Sequence, residues 1–488
     1  MIKDYVILGG GTAGLTSALF LQRTFPMSNV TLVRSTDIGT IGVGEGSTEH
    51  WRQMMIHLGI DVQQLVQNTG CTFKTGVRFT NWHGDGTEYW HAIHDGYVMD
   101  TAVGTYTLMD WDIAQGKDNI DSVWHLARES KHTPPLINVA QYHFDTNKLC
   151  DFFTQLCEER GIRIVDDIIT DVKQDEDGDV TALVGEKETY NGEFFIDASG
   201  FKRVIASKLG AEWIDYTEYL PLNNAIVFPT SMPEDMPSNT ECRALSSGWM
   251  FRIPTQERFG NGYVFCDDFI TREEAEKEVL AQVDEPAEIR KHIKFGAGRL
   301  KEFWKNNVLC VGLASMFVEP LEATSIGTTI QQLFRLGVSL HGYGKGSKLQ
   351  QKKYNHDMSE VADNILNFVQ IHYITERRDS EFWRWCANEM KLTDWNKEFL
   401  PEVIKYGPSQ ASFNDNPFTM FNYMNWTQVL WGLRLLDKDL FVDRWENHSK
   451  WREEFVEACQ LVPPSYPPVP HRQALEYIKQ GYHGAGDI

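Results

Sequence analysis

The clearest chemistry lies at the start of the chain. Gly9-Gly10-Gly11-Thr12-Ala13-Gly14 carries the spacing GxGxxG. Gly9 permits a tight turn, Gly11 lets the backbone approach a pyrophosphate, and Gly14 lets a helix pack closely on a strand. Free N–H groups at the positive end of that helix, on Thr12, Ala13 and Gly14, suit phosphate oxygens. The spacing is weak by itself, but here it follows a strand and opens a helix, which is the context it requires. Twenty residues beyond Gly14, where an acid usually meets the ribose hydroxyls, the chain has Arg34. Another group must then hold the ribose. An arginine also suits a 2′-phosphate, so this loop leaves FAD and NADP both open. Three more segments end in small residues that admit a large flat ligand: Gly42-Val43-Gly44-Glu45-Gly46-Ser47-Thr48, Phe195-Ile196-Asp197-Ala198-Ser199-Gly200 and Val311-Gly312-Leu313-Ala314. Singly, each is only a turn.

These residues need a frame. Tyr5 to Leu8 reads as a strand, and Val30 to Val33 as a second. Between them a helix begins near Gly11 with Leu15, Ala18 and Leu19 on one apolar face, widened by Phe20 and Leu21. This is a βαβ opening of the dinucleotide-binding type, so the fold class is α/β. Residues 71–82 alternate. Phe73, Thr75, Val77 and Phe79 share one face of a predicted strand, and Lys74, Gly76, Arg78 and Thr80 share the other. On its neighbours alone, Lys74 is a solvated strand lysine. Residues 83–140 are polar and irregular and read as an insertion. Asp145 is placed to cap a helix bearing Leu149, Phe152, Phe153 and Leu156. Residues 162–165, 168–172 and 180–184 follow a hairpin pattern around a turn at Asp175 to Gly178. Phe194 to Ile196 and Val308 to Val311 are short buried strands. A helix follows Gly327, helical patterns dominate about 350–445, and the tail from Pro463 reads as extended or loosely packed.

The chain has 488 residues, enough for two domains or one domain with large insertions. Its 42% apolar and 23% charged content is that of a globular protein. A net charge of −22 argues against a broad phosphate-binding surface, and no motif supports nucleic-acid binding. No signal peptide precedes the first strand and no apolar run is long enough for a membrane helix, so a soluble, cytoplasmic protein is expected. The eight cysteines form no CxxC pair and lack zinc-site spacing. They are expected to be buried free thiols, with no metal. The fifteen tryptophans would suit an aromatic-lined pocket, although most are expected simply to pack.

Taken together, the segments resemble the flavin-dependent tryptophan halogenase family. The resemblance rests on Gly9 to Gly14, Gly42 to Thr48, Phe73-Lys74, Tyr142-His143-Phe144-Asp145, Phe195 to Phe201, Gly248-Trp249-Met250-Phe251-Arg252-Ile253-Pro254 and Phe317-Val318-Glu319-Pro320-Leu321-Glu322-Ala323-Thr324. It runs from residue 5 to about 340 and is weak beyond. It implies a flavin-monooxygenase-like FAD module over 1–345, interrupted at about 83–140, and a mostly helical substrate module over 346–488. It also implies that FAD, as FADH2 delivered by a separate flavin reductase, is used with O2 and halide to make hypohalous acid. That species travels through the protein to a small aromatic substrate. A homo-oligomer is left open.

The resemblance assigns roles residue by residue. Lys74 matches the essential lysine that holds the hypohalous acid or converts it to a haloamine, and burial among apolar groups would favour the neutral amine. Glu322 matches the essential glutamate, which polarises that acid or takes the ring proton. Glu319, three residues earlier, is the rival for a purely structural role at a helix N-terminus. Thr324 and Ser325 stand where backbone N–H groups bind halide. Ser325 replaces the family's glycine, which leaves chloride, bromide and iodide all to be tested. Trp249, Phe251, Ile253 and Pro254 match a WxWxIP motif that keeps substrate from the flavin, with Phe251 in place of the second tryptophan. Gly312, Leu313 and Ile326 complete the implied flavin contacts. The C-terminal part does not align clearly enough to carry over the family's tryptophan-binding residues, so the expected substrate is one other than free tryptophan, an indole or phenol, with Trp90, His91 and Phe421 to Trp431 as candidate pocket walls. The alternative is an FAD-dependent aromatic hydroxylase, which would need neither Lys74 nor Glu322 but would need an NAD(P)H site. A non-catalytic flavoprotein is disfavoured because both residues are present.

Overall fold

The computed structural model describes residues 2–37, 39, 44–92, 109–117, 128–132, 141–341, 344–409, 412–413, 419–447, 450–461 and 467–482. Gly42, Val43 and most of the expected insertion therefore lie outside the described residues.

A six-stranded sheet carries the N-terminal motif. Its strands, in spatial order, are Trp304–Lys305, Val308–Cys310, Phe194–Asp197, Asp4–Leu8, Asn29–Arg34 and Arg163–Asp166. All pairs are parallel except the first. Tyr5 to Leu8 and Phe194 to Asp197 are buried on both faces, as continuous apolar runs in a covered parallel sheet must be. The helix Thr12–Thr24 is buried from Gly14 through Leu21 and packs against the helices Thr146–Glu159 and Thr324–Leu340. That is why its apolar residues spread around the helix instead of forming one stripe. Thr324–Leu340 begins three residues before Gly327, where the sequence pattern starts.

A seven-stranded sheet lies beside it, in the order Lys291–Lys294, Asn224–Ser231, Arg258–Phe265, Gly248–Pro254, Thr240–Leu245, Gly76–Thr80 and Glu88–Ala92. Two expectations change here. Residues 71–82 are not one strand: Thr72–Phe73 pairs with Tyr142–Phe144 in a separate three-stranded sheet, while Gly76–Thr80 joins the larger one. Lys74 and Thr75 form the crossing between the two sheets, so period-2 alternation does not set the direction of Lys74. Residues 88–92, read as part of an irregular insertion, form the edge strand of the larger sheet.

Arg163–Asp166 is also not part of a hairpin; the hairpin is Ile169–Gln174 with Val180–Gly185. Asp145 caps its helix as expected, accepting from Asn147 N at 3.1 Å and Lys148 N at 3.4 Å.

Helices dominate the C-terminal part, from Lys348–Ile371 to Lys450–Leu461. The described part of the tail, 467–482, departs from its expected looseness: Val469–Pro470 pairs with Lys131–His132 and leads into the helix His471–Lys479. The seven described cysteines that the structure classes as free are all buried.

Three buried imidazoles, His132, His143 and His471, surround the strand Thr72–Phe73. Burial holds all three below the usual histidine range, His471 at about 4. Unfolding restores a value near 6.5, so the unfolded chain binds these protons more readily. The stability they contribute is present above about pH 6.5 and is lost as pH falls toward 4. His471 alone accounts for roughly 3 kcal/mol over that window. Urea unfolding at neutral pH and near pH 4 checks this, and equal stability at the two would contradict it.

Candidate active site

The GxGxxG turn opens on a cavity of about 670 Å³. Gly9, Gly11, Thr12, Ala13, Arg34, Gly44, Glu45, Gly312, Leu313, Thr324, Ser325 and Ile326 line it. The helix Thr12–Thr24 has no side-chain cap, so its first N–H groups are left for a ligand. A Cβ on Gly11 would meet nothing within 4 Å, whereas one on Gly14 would stand 1.9 Å from Gly9 O. Gly11 therefore faces space and Gly14 faces backbone, as their assigned roles require. Gly312, at φ +57°, would place a Cβ 2.7 Å from that of Ala13. An open helix N-terminus, a close backbone approach and a mostly apolar cavity fit a flavin dinucleotide.

Arg34 stands beside the turn. Its side chain fills the space a Gly10 Cβ would need, and its guanidinium donates to Thr154 Oγ1 at 3.0 Å. The acid lining that region is Asp167, which the sequence reading missed. Its N–H donates to Arg34 O at 2.8 Å. Glu45 is half-buried at the wall beside Thr12, and burial pushes its carboxyl up. Asp197 does not line the cavity. Its carboxylate accepts from the backbone N–H groups of Ser199, Ile205 and Ala206, which shapes the turn that presents Ala198 to Gly200.

Thr324 and Ser325 open the helix Thr324–Leu340 after Ala323, which sits in the left-handed region at φ 54°. Both also line a second, smaller cavity with Gly312, Ser315 and Thr328. Phe251 and Ile253 line the main cavity, and Gly262 makes room for the Phe251 ring. Trp249 is buried beneath them, 6.0 Å from Phe251 ring to ring. Pro254 turns its carbonyl to Thr72 Oγ1 at 2.7 Å.

Lys74 and Glu322 lie behind the cavity wall. A Cβ on the lining residue Gly46 would come 3.0 Å from Ala323 Cβ and 3.5 Å from Lys74 Nζ. Lys74 is 3% exposed, not solvated, and its Nζ donates to Ser47 O at 3.1 Å. Burial lowers its pKa, opposed by the charge of Glu322 and then Glu49.

Glu322 is buried between two imidazoles: His91 Nδ1 is 2.9 Å from Oε2 and His372 Nε2 is 3.0 Å from Oε1. The surroundings assign the protons. Asn425 Oδ1 accepts from Asn422 N, so its Nδ2 donates to His91 Nε2. His91 therefore carries its hydrogen on Nδ1 and gives it to Glu322. His372 Nδ1 faces Phe368 O at 3.0 Å and must also carry a hydrogen. One further proton then lies between His372 Nε2 and Glu322 Oε1. Burial works against the Glu322 charge, but His91 and His372 outweigh it and hold the carboxyl down at about 2, which favours the carboxylate.

Glu319 takes the opposite state: burial pushes its carboxyl up to about 8, against a hydrogen bond from the Tyr373 hydroxyl. Of the two acids, only Glu322 is an anion at neutral pH.

Of the candidate pocket walls, His91 reaches the site and Phe421 stacks on Phe368 at 4.0 Å. Trp90 Nε1 turns instead to Glu88 at 3.0 Å. Gln428 holds both backbone groups of Ala92, which ties the helix Tyr423–Gly432 to the strand bearing His91. His372 was missed: it ends a long helix, and no spacing links it to a carboxylate 50 residues earlier.

His372→Phe keeps a ring against Phe79 and Phe368 but removes one charge-assisted donor from Glu322. Turnover is expected to fall roughly 10- to 100-fold, with the acid limb of the pH–rate profile moved upward. An unmoved limb would contradict the proton assignment.

Comparison with known proteins gives the class and then the family. Xcc4156, a flavin-dependent halogenase from Xanthomonas campestris, superposes over 100% of both chains with a TM-score of 0.83 and 27% identity. Tar14, a tryptophan C-6 flavin-dependent halogenase from taromycin biosynthesis, does so with a TM-score of 0.86 and 25% identity, over 98% of this chain and 100% of that one. In sequence, the 7-chloro-L-tryptophan 6-halogenase KtzR of Kutzneria sp. (strain 744) is 31% identical over 428 residues, 78% of this chain and 81% of that protein. The tryptophan 6-halogenase SttH of Streptomyces toxytricini is 29% identical over 423 residues, 78% and 80% of the two chains. This chain has the α/β flavin-binding fold of these enzymes and is a flavin-dependent halogenase. The family model described as tryptophan halogenase matches residues 4–443, well past the last recognisable motif, and the chain belongs to that family. No helix among the described residues is long and apolar enough to cross a membrane.

Proposed function

We propose that this halogenase uses FADH2 from a separate flavin reductase, O2 and halide to halogenate an electron-rich aromatic such as an indole or phenol. The observation that carries this reading is the buried pair of Lys74 and Glu322, electrostatically coupled and set behind the wall of the flavin-shaped cavity. Bound FADH2 would supply two electrons which, with two more from halide, reduce O2 to give hypohalous acid and water. Gly9, Gly11 and the uncapped helix N-terminus would hold its pyrophosphate, with Gly312 and Leu313 along the groove. The N–H groups of Thr324 and Ser325 would hold the halide.

Lys74 holds the oxidised halogen by hydrogen bonding or as a haloamine, and its depressed pKa makes the neutral amine accessible. Glu322, held between two imidazoles, would face the reacting ring. The cation formed when halogen adds to an aromatic ring is a strong acid, so a weakly basic carboxylate suffices to take its proton. Phe251 and Ile253 keep the substrate off the flavin. In this reading residues 1–345 carry the flavin and 346–488 close the substrate side, with Phe421 and Phe368 as stacked wall residues.

The test supplies a flavin reductase, FAD, NADH and each halide with a panel of indoles and phenols, read by mass spectrometry. Halide-dependent mass gain supports the proposal. Oxygen insertion without halide would identify a hydroxylase instead.

A further inference from the structure

Lys74 follows a two-residue strand, Thr72–Phe73, that has a single neighbour, Tyr142–Phe144. Such a strand leaves one edge unpaired, and a buried N–H there needs an acceptor. Phe73 N finds it in His471 Nε2 at 3.0 Å, across 398 residues of sequence. His471 Nδ1 is 3.0 Å from Pro237 O, which can only accept. The ring therefore carries its hydrogen on Nδ1 and offers a lone pair at Nε2. It is 1% exposed and stacks on Phe73 at 5.4 Å and 24°. Both sides of His471 are fastened: Val469–Pro470 pairs with Lys131–His132, and Gln63 and Gln67 donate to Lys479 O at the end of the helix.

On these observations we infer that His471 is a positioning residue for Lys74, clamping the backbone just before it so that the amine stays aimed at the oxidised halogen. The inference rests on the role of Lys74 proposed above. Lys74 N is itself fixed by Gln141 O at 3.0 Å, and Thr75 N by Ser238 O at 2.8 Å. Of these three bonds, the one from Phe73 N depends on a side-chain acceptor from the C-terminal segment. Releasing it lets the strand edge move and turns a captured hypohalous acid into one that escapes to solvent.

Four full-length variants test this, each with enzyme-bound FAD photoreduced and then exposed to O2 and bromide with an indole. The quantity read is brominated product per flavin reoxidised, alongside thermal midpoint and FAD affinity. His471→Phe keeps the stack but removes both ring nitrogens. His471→Asn keeps a donor for Pro237 but not the acceptor for Phe73. His471→Gln restores an acceptor. Lys74→Met removes the amine.

Phe and Asn are expected to lower product per flavin about tenfold or more while FAD affinity holds, and Gln to recover most of it. A general loss of folded protein would leave that ratio unchanged. If whichever of Phe and Asn folds keeps the full ratio while Lys74→Met loses it, the clamp is wrong. If Lys74→Met also keeps it, the role of Lys74 fails first.

Discussion

Lys74→Ala is expected to abolish aromatic halogenation, by at least about 100-fold, while FAD binding persists. The amine sits behind the flavin cavity at Gly46 and Ala323 and contributes nothing to the groove lining itself. Stability should move little. Removing a desolvated ammonium relieves a cost, while the vacated space and the unpaired Ser47 carbonyl act the other way. The net change is expected within about 2 kcal/mol. Product mass spectrometry with a flavin fluorescence titration separates the two effects. A variant that still halogenates at the wild-type rate would remove Lys74 from the mechanism.

Glu322→Gln is expected to lower halogenation by about 10²–10⁴-fold, the range for losing a positioned base. This substitution isolates charge from shape. The glutamine oxygen accepts from His91 Nδ1, and its amide donates to the lone pair of His372 Nε2. No buried group is orphaned, so the fold and flavin groove should be intact. Loss of the anion also removes the main influence that raises the Lys74 pKa, so that amine becomes easier still to deprotonate. Halogenation by the variant at more than a tenth of the wild-type rate would assign the ring proton to another base.

What could be read from the sequence divides by range. The GxGxxG turn, its flanking strands and the cap at Asp145 depend on neighbours within a few residues, and all appear where expected. Lys74 and Glu322 were identifiable only through family motifs. By alternation Lys74 belonged with Arg78 and Thr80 on a polar face, but a change of sheet at Lys74–Thr75 breaks the period. His372 and His471 were invisible for a related reason. Each meets its partner across a long stretch of chain, and neither periodicity nor composition records such a contact. The strand at 88–92 was obscured by its polar surroundings, which belong to an edge position.

The order of the central sheet also bears on how the enzyme comes into being. Asp4–Leu8 pairs with Asn29–Arg34 early, but Phe194–Asp197 and then Val308–Cys310 must arrive to complete the floor under Gly312. Such distant parallel pairings make folding slow. A growing polypeptide therefore lacks a complete coenzyme berth until the sixth strand of this sheet has been made, and His471, which meets Phe73 N, is made later still. On the mechanism proposed above, assembly itself would delay the appearance of a corrosive product until its container is nearly finished.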